Sequence, residues 1–209
     1  MRARRDSFKG SPARASGSAP ATRRRVTNTL RRALAEGLRG FTHLFNAMSP
    51  LTAREPGTVG TALADPESCC GLILDGVHVH PTSATVALRA KRPGRVMLVT
   101  DAVHLAATEM AHSTLLGRPV VRAQGRVTAA DGTLAGSDLT MDRAVRNAVD
   151  LLGLPLTEAL RMASLTPAAF LGLDNQLGRI RPGYRADLVL LDDALRVRRT
   201  WIDGVDRNH

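Results

Sequence analysis

With 209 residues and 44% hydrophobic content, the chain is long enough for one substantial core and too apolar to be disordered throughout. Its net charge of +10 is lopsided, because seven Arg and Lys9 against Asp6 put +7 into residues 1–25 and leave the remainder nearly neutral. Phe8 is the single aromatic residue among those arginines, fewer than a base-stacking surface requires. Nucleic acid is therefore an unexpected partner, and with no apolar run near the roughly 20 residues of a membrane span and no secretory pattern, a cytoplasmic protein that does not engage a membrane is expected.

Residues 1–26 combine Arg, Ser, Ala, Gly and Pro without helical or alternating periodicity, so they predict a disordered basic tail. The Arg- and Ser-rich, acid-poor composition also fits a transit peptide. A non-native segment, from a misplaced start or a frameshift, is the third reading. From Thr29 onward Leu30, Ala33, Leu34 and Leu38 recur at helical spacing, and Gly37 and Gly40 close the helix before a short strand ending near His43.

Cys69 and Cys70 are adjacent, a spacing that suits neither a disulfide framework nor a metal ribbon, and they read as small buried hydrophobes. They lead into the apolar run Cys70 to Leu74, which stops at Asp75-Gly76-Val77-His78; Pro81 then opens a helix through about Ala90. A third run, Arg95 to Thr100, stops at Asp101. Continuous apolar strands separated by helical segments predict a parallel sheet buried on both faces. In such sheets reactive residues belong at the carboxyl ends of the strands, so His43, His78 and Asp101 are expected to approach one another.

Further on, Leu134-Ala135-Gly136-Ser137 follows the turn Asp131-Gly132 and precedes a helix from about Met141 to Leu152, with Ser137 or Asp138 as a candidate cap. Two more helices are predicted near Leu156 to Ser164 and Pro167 to Leu171. The end, with Gly178 to Ile180, Ala186 to Leu191 and Arg196 to Ile202, reads as a small β element. Three parts follow: a tail (1–26), an α/β body (27–177) and a β piece (178–209).

The segments THLFNAMSPLTAREPG, LILDGVHVHP, LVTDA, DGTLAGSDLTM and GRIRPGYRADLVLLD, in this order between about Thr29 and Gly204, resemble the N-acetylglucosamine-6-phosphate deacetylases of the amidohydrolase superfamily. The last motif is shared by many amidohydrolases, whereas the first is narrower. The resemblance implies the C-terminal portion of a (β/α)8 metal-dependent hydrolase barrel, with about three of its strand-helix units, and a small β element. It further implies hydrolysis of the acetamide of N-acetylglucosamine 6-phosphate and a divalent metal, zinc or iron. By the same resemblance His43 is a metal ligand, Asp101 is the general base and then acid, and Asn46, Ala47 and His78 bind the phosphate end. Arg54 is implied to reach across a homodimer interface to that phosphate. Asp75, Gly76 and Val77, with Leu134, Ala135 and Gly136, would form the remaining substrate loops.

Each residue also has a plainer reading. His43 competes as a hydrogen-bonded structural histidine, Asp101 as a helix cap, Arg54 as one half of a surface ion pair and Gly136 as a tight turn. The resemblance also implies a Glu and a second His from earlier strands at the metal, yet His43 is the first histidine and Glu36 the only preceding glutamate. The expectation is a truncated or frameshifted product whose metal site is incomplete. An active enzyme completed by a companion chain, an inactive pseudoenzyme and a basic binding module are the readings to separate.

Overall fold

The computed structural model describes residues 20–207, with side chains from Val26 onward. Helix α1 runs from Pro20 to Ala35, which corrects the assignment of residues 20–26 to a disordered tail; residues 1–19 lie outside the described residues. Leu30 and Leu34 of α1 pack on a buried cluster, and the preceding Ala and Arg residues favour propagation of a helix already anchored at that end.

Strands β1 (Gly40–Phe41), β2 (Cys69–Leu72) and β3 (Val96–Leu98) form a parallel sheet in the order β1-β2-β3. The register pairs Phe41 with Cys70 and Cys70 with Val96. Single backbone bonds continue both ladders past the strand ends, Leu44 N–H to the Gly71 carbonyl and Val99 N–H to that of Leu72. Every residue of β2 is buried, as its unbroken apolar sequence predicts for a strand covered on both faces.

Helices α2 (Gly57–Ala64) and α3 (Pro81–Ala90) follow β1 and β2. The sequence assigns no helix to 57–64, because Gly57 and Gly60 hide it; α3 has the predicted bounds. His80 caps α3 by accepting from Thr82 N–H through Nδ1. On one side Leu44, Val59, Ala62, Leu63, Cys70 and Ala87 pack together. On the other, Leu72, Ile73, Leu74 and Leu98 meet α4 (Met141–Leu152) and α5 (Leu156–Ala163) through Ala144, Ala148, Ala159 and Met162. A sixth helix, α6 (Leu165–Phe170), follows directly.

Between β3 and α4 lies an unanticipated antiparallel sheet: β4 (His112–Leu115), β5 (Arg118–Ala123), β6 (Arg126–Ala129) and β7 (Leu134–Ser137) in sequential order. Its first two turns, Leu116-Gly117 and Gln124-Gly125, have positive φ at both positions, the mirror-image geometry that matches strand twist in two-residue hairpins. The C-terminal β element is present as β8 (Leu188–Leu191), β9 (Val197–Ile202) and β10 (Val205–Asp206). Gly178 to Ile180, predicted as a strand, makes no ladder, and Ile180 is exposed. No helix among the described residues is long and apolar enough to cross a membrane.

At the opposite end of β2 from its carboxyl terminus, the buried Lys91 side chain ties the layers together. Its Nζ donates to the Ala62 carbonyl at 3.0 Å, to the Ser68 hydroxyl at 3.2 Å and to the Asp65 carbonyl, placing a cation at the negative end of α2. Burial pushes the neighbouring Cys70 thiol up to about 11, against the pull of Lys91. Lys91→Met keeps the aliphatic stem but strips two buried acceptors and one part-buried acceptor of their donor. A loss of about 3 kcal/mol is expected, read as a lower urea midpoint at unchanged slope; a change within measurement error would remove Lys91 from this role.

Candidate active site

Because β1, β2 and β3 are parallel, their following loops leave one edge of the sheet. His43 comes two residues after β1, Asp75 three after β2 and Asp101 three after β3. The parallel order thus sends the loops that carry His43, His78 and Asp101 to one end of the sheet, and several of their residues have left-handed backbone. His43, Phe45, Ala47 and Asp101 have positive φ without being glycine. Such conformations persist only where the surroundings over-determine them, and they concentrate at functional sites.

His43 is half-buried, and its Nδ1 is a buried atom without a hydrogen-bond partner. A hydrogen-bonded structural histidine would spend that nitrogen on a neighbour, and no described residue partners it. The next residues form a tight turn. Asn46 N–H donates to the His43 carbonyl at 2.9 Å, and the Asn46 amide reaches the Leu44 carbonyl at 3.3 Å. Arg54 sits on a second turn, closed by the Thr52 hydroxyl and Glu55. It is exposed and forms no ion pair with a described residue.

The loop after β2 is built around Asp75. Its Oδ1 accepts from Val77 N–H and His78 N–H, both at 2.8 Å, and its Oδ2 lies 2.6 Å from His78 Nδ1. With side-chain exposures of 1% for Asp75 and 5% for His78, this carboxylate is consumed within the loop. Asp75 thus orients His78 and takes Nδ1 as its donor, leaving Nε2 without a described partner. Asn147 of α4 adds a tie from outside, donating to the Leu74 carbonyl at 2.8 Å; its position mid-helix gave no sequence signal.

Asp101 is exposed, and its carboxylate makes no hydrogen bond or ion pair with a described residue. It caps no helix: the next one in sequence, α4, begins after Thr140. Leu134, Ala135 and Gly136 arrive beside it because β7 runs along this segment, with Ala102 bridged to Ser137 in parallel. At Gly136 (φ +91) a Cβ would stand 2.6 Å from Val103 Cγ1 and 3.0 Å from the Asp101 carbonyl oxygen. Close approach, beyond turn geometry, is why glycine occupies the position. Neither proposed cap of α4 serves: Ser137 bonds elsewhere, and Asp138 stands 3.5 Å from Arg122.

As a metal centre this set is incomplete. Among the described residues no group of three His, Cys, Asp or Glu side chains is arranged to hold an ion. His43 offers one nitrogen, fewer than the three protein ligands of a catalytic zinc site.

The amidohydrolase family model matches residues 27–205. An N-acetylgalactosamine-6-phosphate deacetylase of Shewanella sp. (strain ANA-3) is 47% identical over 176 residues, 84% of this chain and 44% of that protein. A putative N-acetylgalactosamine-6-phosphate deacetylase of Escherichia coli (strain K12) is 44% identical over 162 residues, 78% of this chain and 96% of the relative. Among solved structures, N-acetylglucosamine-6-phosphate deacetylase from Pasteurella multocida superposes with a TM-score of 0.83 at 33% identity, over 88% of this chain and 48% of that one. The chain thus spans under half the length of the first and third of these.

Gly136→Ala tests the seam between β7 and Asp101. The added methyl meets a valine side chain and a backbone oxygen, neither able to retreat freely, at a strained φ. A destabilisation of about 2 kcal/mol is expected in urea unfolding, whereas a neutral variant would mean that β7 does not press on Asp101.

Proposed function

Because the chain belongs to the amidohydrolase family, we propose that it acts on the acetamide of N-acetylglucosamine 6-phosphate, yielding glucosamine 6-phosphate and acetate. The observation that carries this reading is the gathering of a free carboxylate, an oriented imidazole and a partnerless buried imidazole nitrogen at one sheet edge. In the hydrolysis a water oxygen bonds to the amide carbon and the C–N bond breaks. Asp101 takes the proton of that water and returns it to the departing nitrogen, so that the amine leaves neutral.

His78, its Nδ1 committed to Asp75, presents Nε2 to the polar end of the sugar phosphate. Asn46 and the Ala47 backbone contact the same end, and Gly76, Val77 and Leu134 to Gly136 line the remaining walls. A phosphate dianion suits Arg54, whose planar fork binds two oxygens at once. In the proposed homodimer Arg54 serves the phosphate of the second copy; its exposure on an outer turn supports that placement. His43 is the one described imidazole offered to a divalent cation, zinc or iron, and the described residues do not complete its coordination.

A second substrate has specific support, since the relative at 47% identity is an N-acetylgalactosamine-6-phosphate deacetylase and the one compared at 33% acts on the glucose epimer. Both sugars belong in the assay. Supplied with zinc or ferrous iron and with a companion chain that carries the missing Glu and His ligands, the purified chain is expected to release acetate, and Asp101→Asn to lower kcat by about 100-fold at similar KM. No acetate from either epimer would refute the deacetylase reading for this chain. Full activity in Asp101→Asn would move proton transfer to another group.

A further inference from the structure

We propose that Ser137 is a positioning residue that holds Asp101 in its working conformation, an inference that rests on the role given to Asp101 above. Asp101 has φ +49 and an exposed carboxylate with no described partner, so nothing on its own side chain keeps it there. The surrounding bonds converge instead on Ser137, which is wholly buried.

Ser137 N–H donates to the Asp101 carbonyl at 2.8 Å, and the Ser137 carbonyl accepts from Val103 N–H at 3.2 Å. Its hydroxyl donates to the Thr100 carbonyl and accepts from Leu139 N–H at 3.0 Å. One residue thus brackets 100–103 on both sides of the strained position. The hydroxyl is fully used, and none of it caps α4, whose N-cap is Thr140. Gly136, immediately before, removes the side chain that would push β7 away from Asp101.

Alanine at 137 preserves the two backbone bonds but leaves the Thr100 carbonyl and Leu139 N–H without partners, and buried groups left unpaired favour local opening. Proton transfer requires the carboxylate within hydrogen-bond reach of the reacting atoms, whereas the polar contacts proposed for ground-state binding come from Asn46, Arg54 and His78 on other loops. The consequence falls on kcat rather than on KM.

The test compares the full wild-type chain with Ser137→Ala and Ser137→Cys, reading residue-resolved amide exchange and acetate release together. In Ser137→Ala, exchange at Val103 is expected to accelerate tenfold or more relative to Leu72 in the central strand. The same variant should lose at least tenfold in kcat with KM within twofold, and Ser137→Cys, which retains a weak donor, should recover part of it. Unchanged exchange at Val103 overturns the proposal. So does equal acceleration at Val103 and Leu72, which denotes a general packing role, or unchanged kcat in an active chain. If the wild type releases no acetate, the functional reading fails separately, and the ratio of the two amides still decides whether Ser137 fixes this segment. Should Ser137→Ala not fold, Ser137→Cys is read by the same ratio, with acceleration of threefold or more expected and none overturning the proposal.

Discussion

Parallel pairing of three strands is the constraint on which the candidate site depends. A hairpin alternates the direction of its strands and scatters the following loops between two edges, whereas β1, β2 and β3 all deliver theirs to one. Residues 43, 75 and 101 are distant in sequence, and the ladders from Phe41 to Cys70 and from Cys70 to Val96 align the strands they follow. Lys91 and the packing of α4 and α5 secure those ladders from below and from one face. The chemistry at the edge is thus supported by ordinary burial elsewhere.

At the edge itself, precision comes from backbone bonds more than from side-chain packing. Asp75 spends its carboxylate on two amides and one imidazole, so the loop it belongs to has essentially one conformation. Around Asp101 the same result is reached from outside, through β7. Left-handed backbone at His43, Phe45, Ala47 and Asp101 carries a conformational cost, which the bonded frame offsets. An exposed carboxylate on a held backbone can meet a substrate while losing little additional freedom on binding.

Much of this was legible in the sequence because burial on both faces writes a simple pattern. Cys70 to Leu74 and Val96 to Val99 are uncharged and apolar, and Pro81 marks its helix start. The antiparallel sheet was hidden for the converse reason: β5 buries only Val120 fully, so its polar and charged residues show no clear alternation. Its signal lay in Gly117, Gly125 and Gly132, spaced by hairpin-length segments. The roles of Asp75 and Ser137 depend on hydrogen bonds whose direction no residue spacing encodes. Helix α1 shows a different limit, since Pro20 to Val26 became helical through an anchor that lies further along the chain.

In the proposed function the loops after β1, β2 and β3, with the end of β7, surround one sugar phosphate. Titrating N-acetylglucosamine 6-phosphate into the isotopically labelled full chain and following every amide shift tests it most directly, without requiring turnover. Saturable shifts confined to residues 43–47, 54, 75–78, 100–103 and 134–137 are expected. Shifts centred on the C-terminal sheet of β8 to β10, or none at saturating ligand, would contradict it.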